Sequence, residues 1–437
     1  MKTWYKALAL IFLTGTTAWS QEAAAPYLTL EEAFGLALKN SAQLKVSATG
    51  TRLAKDQTAI VKLNQLPGLS TGINYGYISN SEIWSPSFEG HRTVEFPHTV
   101  TQFSLQAAQL VFKGGLVKGS IERSELEEQV AQLRLEKNTE DIKFLVAAKY
   151  LDIYRTINQR TIFANNLKLS QQRLDNVQSM FKQGMVTQND VLRNELITSN
   201  LELAILKADN TIIILNQQLN VVLGLEQSAR LTPDPALLAL PDRSTTAEAF
   251  LQAAKKDNRE LQLAAAEKEI AAANIKIAGS DRYPELSLYA GSNLQRPFLN
   301  SMPAVDIFYN VWQAGVSLRF NIASVYQAPR RLQAARTSLD QSGQRELVAQ
   351  QDVELAVNNS FIRYREAIDE VATLEKDLRS AQENYRIVEK KYLNQLALLA
   401  DMTDAANIKI EAELRLTNTR INIIYTYYQL LKSAGML

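Results

Sequence analysis

Hydrophobic and polar positions along this chain keep two rhythms, and each rhythm occurs twice. From Thr29 the apolar residues Leu30, Ala33, Phe34, Ala37, Leu38 and Leu44 recur at helical spacing, which predicts a helix from about Thr29 to Asn64. Thr29 with Glu32 three residues on makes a capping-box pattern, and Pro67 stops the helix. The period then drops to two. Leu69, Thr71, Ile73, Tyr75 and Tyr77 alternate with Ser70, Gly72, Asn74 and Gly76. After a loop holding Pro86, Gly90 and Pro97, the residues Thr101, Phe103, Leu105 and Ala107 alternate with Gln102, Ser104 and Gln106. Strands are expected over about 67–78 and 99–112.

Helical pattern returns from about Leu116 to Gln183 with no Pro and only Gly119 inside, followed by a shorter helix from Asn189 to Leu223. The second half reads the same way. After a helix, Leu286, Leu288 and Ala290 alternate with Ser287, Tyr289 and Gly291, and Trp312, Ala314, Val316, Leu318 and Phe320 alternate with Gln313, Gly315, Ser317 and Arg319. Strands are expected over about 284–294 and 308–321, then a helix from Arg330 to Leu399 and another from Asp401 to Ala434. Within the long helix, Val371, Leu374, Leu378, Ala381, Tyr385, Val388 and Tyr392 follow the 3,4 spacing of a coiled-coil seam.

Residue by residue the halves match. Gln65-Leu66-Pro67-Gly68-Leu69-Ser70 corresponds to Arg282-Tyr283-Pro284-Glu285-Leu286-Ser287 at an offset of 217 (282 − 65). Asp190 and Gly224 correspond to Asp401 and Gly435 at 211 (401 − 190, 435 − 224). The chain reads as an internal tandem duplication of a unit of roughly 200 residues, far longer than a solenoid repeat. A Pro-containing linker, Leu231 to Ala236 and on to Pro241-Asp242, separates residues 21–241 from 242–437.

Composition narrows the class. The 437 residues carry 47 Lys+Arg against 46 Asp+Glu, which gives no basic field for nucleic acid. Cys is absent, so disulfides, thiolate metal sites and thiol catalysis are excluded. Phosphate-binding Gly loops, H-E-x-x-H and nucleophile-elbow patterns are missing too, and the chain reads as neither an enzyme nor a cofactor binder. The two histidines, His91 and His98, share the first strand-to-strand loop and read as solvated rather than metal-bound. Residues 1–20 show a basic start (Lys2, Lys6), the apolar run Ala7–Leu13 and small residues Ala18 and Ser20 before Gln21, the pattern of a secretory signal peptide. No later run reaches the ~18 apolar residues of a membrane helix.

An exported chain can still enter a membrane as strands, and each alternating run here is near the ~9–11 residues of a tilted membrane strand. Four such strands cannot close alone, because an open edge in lipid leaves backbone N–H and C=O groups unpaired at several kcal/mol each. The strands must close with those of other copies, and the small polar set Ser70, Gly72, Asn74, Gln102, Ser104, Ser287, Gly291, Gln313 and Ser317 fits a wet lumen.

This organisation resembles the TolC-like outer membrane efflux protein family. The resemblance is carried by the entry segment Leu28 to Ser41, by Gln109-Leu-Val-Phe112 before Gly114-Gly115, and by Phe181 to Leu192 with its diverged copy Tyr392 to Thr403. It implies a mainly α protein with membrane β: long antiparallel helical hairpins forming a coiled-coil tunnel, and four strands per chain contributing to the twelve-stranded barrel of a homotrimer. The protein would sit in the outer membrane, contacting its lipid, with the tunnel extending into the periplasm. It would serve as exit duct of a tripartite efflux or type I secretion system, with a periplasmic adaptor (membrane fusion) protein and an inner-membrane transporter as partners. The competing reading is a periplasmic coiled-coil adaptor or scaffold without a membrane barrel.

The resemblance also implies site residues. The helix turns would converge on the periplasmic aperture, where Asp401 and Asp404 match positions that form acidic rings, and Thr187 and Tyr392 match positions of the links that close it. Ala397 stands where the family's best-known pattern has Arg, so closure would differ here, with Asp190 and Arg193 as substitutes. The turns themselves, with Gly184, Met185 and Val186 in one and Gln395, Leu396 and Ala397 in the other, would dock the adaptor.

Overall fold

The structure, a computed structural model, is described over residues 27–234 and 246–437; the leader reading and the 241/242 boundary lie outside the described residues. In chain order the elements are β1 (Tyr27–Leu28), α1 (Leu30–Asn40), α2 (Ala42–Lys62), β2 (Gly68–Tyr77), β3 (Ser81–Trp84), β4 (His91–Val94), β5 (Thr99–Phe112), α3 (Leu116–Lys182), α4 (Gln188–Leu223), β6 (Thr232–Pro233), α5 (Ala247–Asp257), α6 (Arg259–Ser280), β7 (Glu285–Arg296), β8 (Tyr309–Arg319), α7 (Ser324–Leu393) and α8 (Leu399–Ser433). At ~1.5 Å per residue, α3 and α7 each run about 100 Å.

Four features depart from the sequence pattern. Helix α7 ends at Leu393 rather than Leu399, because Gln395 takes a left-handed backbone (φ +59°) and α8 already starts at Leu399. The first helix is two helices, α1 and α2, broken at Ser41 (φ −53°, ψ 122°). Asn40 turns its amide to the Leu223 carbonyl at the far end of α4 (3.1 Å), a tertiary contact that apolar spacing does not reveal. The first strand-to-strand loop contains a hairpin, β3 with β4, beyond the main sheet. Helix α7 begins at Ser324 rather than Arg330, with Pro329 inside its first turns. The Val325 carbonyl loses its helical donor there, but Val325 is exposed, where water can replace the bond.

Hairpin α3–α4 and hairpin α7–α8 lie side by side, with α2 against α3 and α6 between α3 and α7. Equivalent cores hold the short helices to them. Leu30, Ala33 and Ala37 pack on Val146, Tyr150, Leu219 and Leu223, while Phe250 and Ala254 pack on Val357, Tyr364, Ile423 and Leu430. The Tyr150 hydroxyl donates to the Leu28 carbonyl (2.6 Å) and accepts from the Asp234 N–H (2.8 Å), pinning the β1–β6 pair to the bundle. Every seam position from Val371 to Tyr392 is buried or half-buried.

The helix ends repeat across the halves. At Gly224 and Gly435 the chain turns left-handed, and the next N–H reaches back five residues, Leu225 to Asn220 (2.9 Å) and Met436 to Leu431 (2.9 Å). This is the Schellman closure, which satisfies the orphan carbonyls of a helix end. A Cβ at Gly435 would lie 2.7 Å from the Asn258 Cα, so both backbone angle and space exclude a side chain there.

Candidate functional site

Two regions can carry function: the sheet and the turns between long helices. Strands β2, β5, β7 and β8 form one antiparallel sheet in the order β2-β5-β7-β8, so each half supplies a hairpin and β5 joins β7 across the halves. Directly paired residues share a face. One face therefore holds Leu69 and Ala107, Ile73 with Phe103 and Leu294, Leu288 with Val316, and Leu286 with Leu318. Ser70, Gly72, Asn74, Gln102, Ser104, Ser287, Gly291, Gln313 and Ser317 all fall on the other.

Amides form a chain on that polar face, two bonds between strands and one along β7. Asn74 donates to Gln102 (3.5 Å), Gln102 to Asn293 (2.9 Å) and Asn293 to Gln295 (3.2 Å). The apolar face is bare: Ile73, Tyr75, Trp312 and Leu318 are each more than two-thirds exposed in the single chain. Strands β2 and β8 are edges with no partner strand beyond them among the described residues. An apolar face, a polar face and two free edges describe a barrel segment that lacks the rest of its ring.

His98 stacks on Tyr77 and its Nδ1 lies 3.1 Å from the Ile78 carbonyl, while His91 tilts against Trp84 in the β3–β4 hairpin. Each has an aromatic neighbour and neither has a cluster of further metal-ligand side chains among the described residues.

At the far end of the bundle the two turns share one backbone. Gly184 (φ +74°) and Gln395 (φ +59°) are left-handed, with Met185 N–H closing on Met180 (2.9 Å) and Leu396 N–H on Lys391 (2.7 Å). The next helices start alike. Asp190 accepts from the Thr187 N–H (2.9 Å) and hydroxyl (2.7 Å), and Thr187 accepts back from the Asp190 N–H (3.3 Å), a full capping box. Asp401 accepts from the Leu398 N–H (3.0 Å), but Leu398 has no side-chain oxygen to reply. Both Asp190 and Asp401 thus serve their own helix starts, where a carboxylate also suits the dipole.

Asp404 is exposed, on the same α8 face as Asp401, with Met402 and Ala405 turned inward. Arg193 is exposed and forms no ion pair among the described residues. Tyr392 is buried with its hydroxyl unpartnered, and burial together with the negative charge of Asp190 holds its phenol above the ordinary range. Val177, Tyr385, Tyr392, Leu399 and Met402 form a small core that joins the two hairpins at this end, with Val186 and Ala397 packed on it. Outside that core the turns are apolar and open, with Met185, Leu192, Leu396 and Leu398 more than half exposed.

Sequence reading missed Arg173. This α3 residue is 8% exposed, its Nε and Nη1 unpartnered, with Nη2 donating to the Tyr385 hydroxyl (3.3 Å), which in turn donates to Glu389 (2.9 Å). The signal was its place one step along the Ser170–Val177 buried stripe.

Residues 250–435 match the sequence model of the outer membrane efflux protein family. A sequence search among curated proteins finds no match. Among solved structures the chain is similar to CusC, which forms a transmembrane channel, with a TM-score of 0.78 at 15% identity, covering 93% of this chain and 92% of that one. It is similar to the outer-membrane channel OprN, with a TM-score of 0.77 at 15% identity over 93% of this chain and 89% of that one. The Campylobacter jejuni CmeC outer membrane channel gives 0.77 at 12% identity, over 100% of this chain and 93% of that one. Residues 250–435 thus resemble the outer membrane efflux protein family in sequence, and the chain as a whole shares the fold of these outer membrane channels.

Proposed function

We propose that this chain is one subunit of the exit duct of an efflux or type I secretion assembly, with its strands in the outer membrane and its helices in the periplasm. The observation that carries this reading is the sheet: four strands with one apolar face, one amide- and hydroxyl-rich face and two free edges. In lipid those edges must pair, and copies of the same chain offer complementary ones. Three copies would supply twelve strands, enough for a water-filled bore, whereas two would give eight, which side chains fill. The duplicated unit of roughly 200 residues then recurs six times around a pseudo-sixfold wall.

The duct performs no covalent chemistry; passage is its work. The exposed apolar turns at Gly184–Val186 and Gln395–Ala397 suit tip-to-tip docking by a periplasmic adaptor, which would couple the duct to an inner-membrane transporter. Asp404, free of local bonding, is the better acidic-ring candidate, while Asp401 and Asp190 divide their charge between aperture and helix start. With no Arg at Ala397, the buried Arg173, Tyr385 and Tyr392 cluster is the alternative closure element. A free-standing adaptor fits less well, because both halves contribute to one continuous sheet rather than to separate soluble domains.

Fractionation and mass test this. The protein should sediment with outer membranes and, in detergent, have the mass of a trimer of this 48.9 kDa chain, less its leader. A soluble periplasmic monomer would refute it.

A further inference from the structure

The polar face of the sheet is uncharged except at its base. Along β2, β5, β7 and β8 only Glu285 and Arg319 on that face carry charge, and they sit directly opposite each other across the β7–β8 pair. Glu285 does not neutralise Arg319. Its carboxylate pairs with Lys113, just past the end of β5, at 3.2 Å. The other nearby acid, Asp281, pairs with Arg331 at 2.6 Å. All four of these groups and Arg319 line one cavity of about 110 Å³ at the junction of sheet and helices. Counting them gives three cations against two anions, and Arg319 forms no ion pair among the described residues.

Two further observations keep that charge uncompensated. The N-terminus of the 70-residue helix α7 opens at this junction, with Asn321 and Ser324 lining the cavity, and no acid stands in its first turn. Its dipole therefore adds positive potential. In addition, β8 is an edge strand, and the edge it would meet on the next copy is β2. The base of that strand and its approach, Leu63-Asn64-Gln65-Leu66-Pro67-Gly68-Leu69-Ser70-Thr71, contain no carboxylate to pair with Arg319.

We infer that Arg319, backed by the Lys113–Glu285 pair, forms a basic collar where the tunnel enters the barrel, and that it contacts anionic groups of passing cargo. This rests on the duct reading above, because it needs the polar face to be a lumen and the site to recur around it. Around a water-filled bore, like charges repeated by every copy set the local potential, whatever the net charge of the whole chain. The collar would oppose any acidic ring at the other end, so anionic and cationic groups of one cargo meet different stations.

The test is ion selectivity of the purified full-length protein in planar lipid bilayers under a KCl gradient. For Arg319→Gln the K⁺/Cl⁻ permeability ratio should rise on the order of twofold, with Arg319→Lys holding near the parent value. Lys113→Gln, which frees the Glu285 carboxylate, should shift selectivity the same way. Unchanged reversal potentials in Arg319→Gln and Lys113→Gln, in channels that conduct like the parent, would overturn the collar and leave the duct standing. A parent protein that forms no conducting unit would overturn both.

Discussion

The turn at Gly184 and the turn at Gln395 have the same backbone and different support. In the first, glycine takes the left-handed position and Thr187 with Asp190 closes a two-way capping box. In the second, a glutamine is forced to φ +59° and Leu398 leaves the box half made. Local chemistry therefore favours the first turn and disfavours the second, yet both form. What holds the second is tertiary packing: Tyr392, Leu399 and Met402 are each 5% exposed or less, in the core shared with Val177. A fold repeated within one chain can thus let one copy lose its local signals once the other copy and the packing between them fix the geometry.

The comparison can be broken or sharpened. The largest effect is expected from Met402→Ala, which opens a cavity under the second turn and should cost about 2–5 kcal/mol locally. Hydrogen exchange should then speed up in residues 394–405 more than in 183–194, and equal change in both would show that packing does not single out the second turn. Thr187→Ala removes the cap that only the first turn has, and should lower stability by about 1 kcal/mol in thermal or denaturant unfolding. Gly184→Gln gives the first turn the second turn's strain, costing on the order of 1 kcal/mol. Gln395→Gly with Leu398→Thr does the reverse, and should gain about 0.5–1 kcal/mol and slow exchange at the second turn. A neutral or destabilising double variant would mean that the exposed Gln395 and Leu398 side chains make stabilising contacts of their own.

Where a signal is periodic and local, the sequence carried it. Alternation separated the nine small polar residues from the apolar ones within each strand, and a register that keeps one face apolar brings all nine to the other face of the sheet. The scarcity of Gly and Pro located α3 within one residue of its observed end, and the 3,4 spacing picked out the buried seam of α7. What escaped was tertiary. The break at Ser41 is set by an Asn40 bond to Leu223, 183 residues away, and apolar spacing continues across it. Pro329 looked like a boundary, but its lost hydrogen bond falls on an exposed turn. Among the aperture candidates, Asp401 and Asp404 are alike in sequence; only the folded chain separates a carboxylate bonded to the Leu398 N–H from one with no local partner among the described residues.

The central claim is that β2 and β8 are edges only in the single chain. The chain has no Cys, so introduced pairs report cleanly. Within one chain β2 and β8 are three strand spacings apart, about 14 Å, beyond the ~7 Å Cα limit of a disulfide. Cys placed at Ser70 or Gly72 together with Cys at Gln313 or Ser317 should, in at least one of these registers, oxidise to covalent dimers and trimers on a denaturing gel. Monomers in every register, from protein recovered in the outer membrane, would contradict closure of the barrel by copies of this chain.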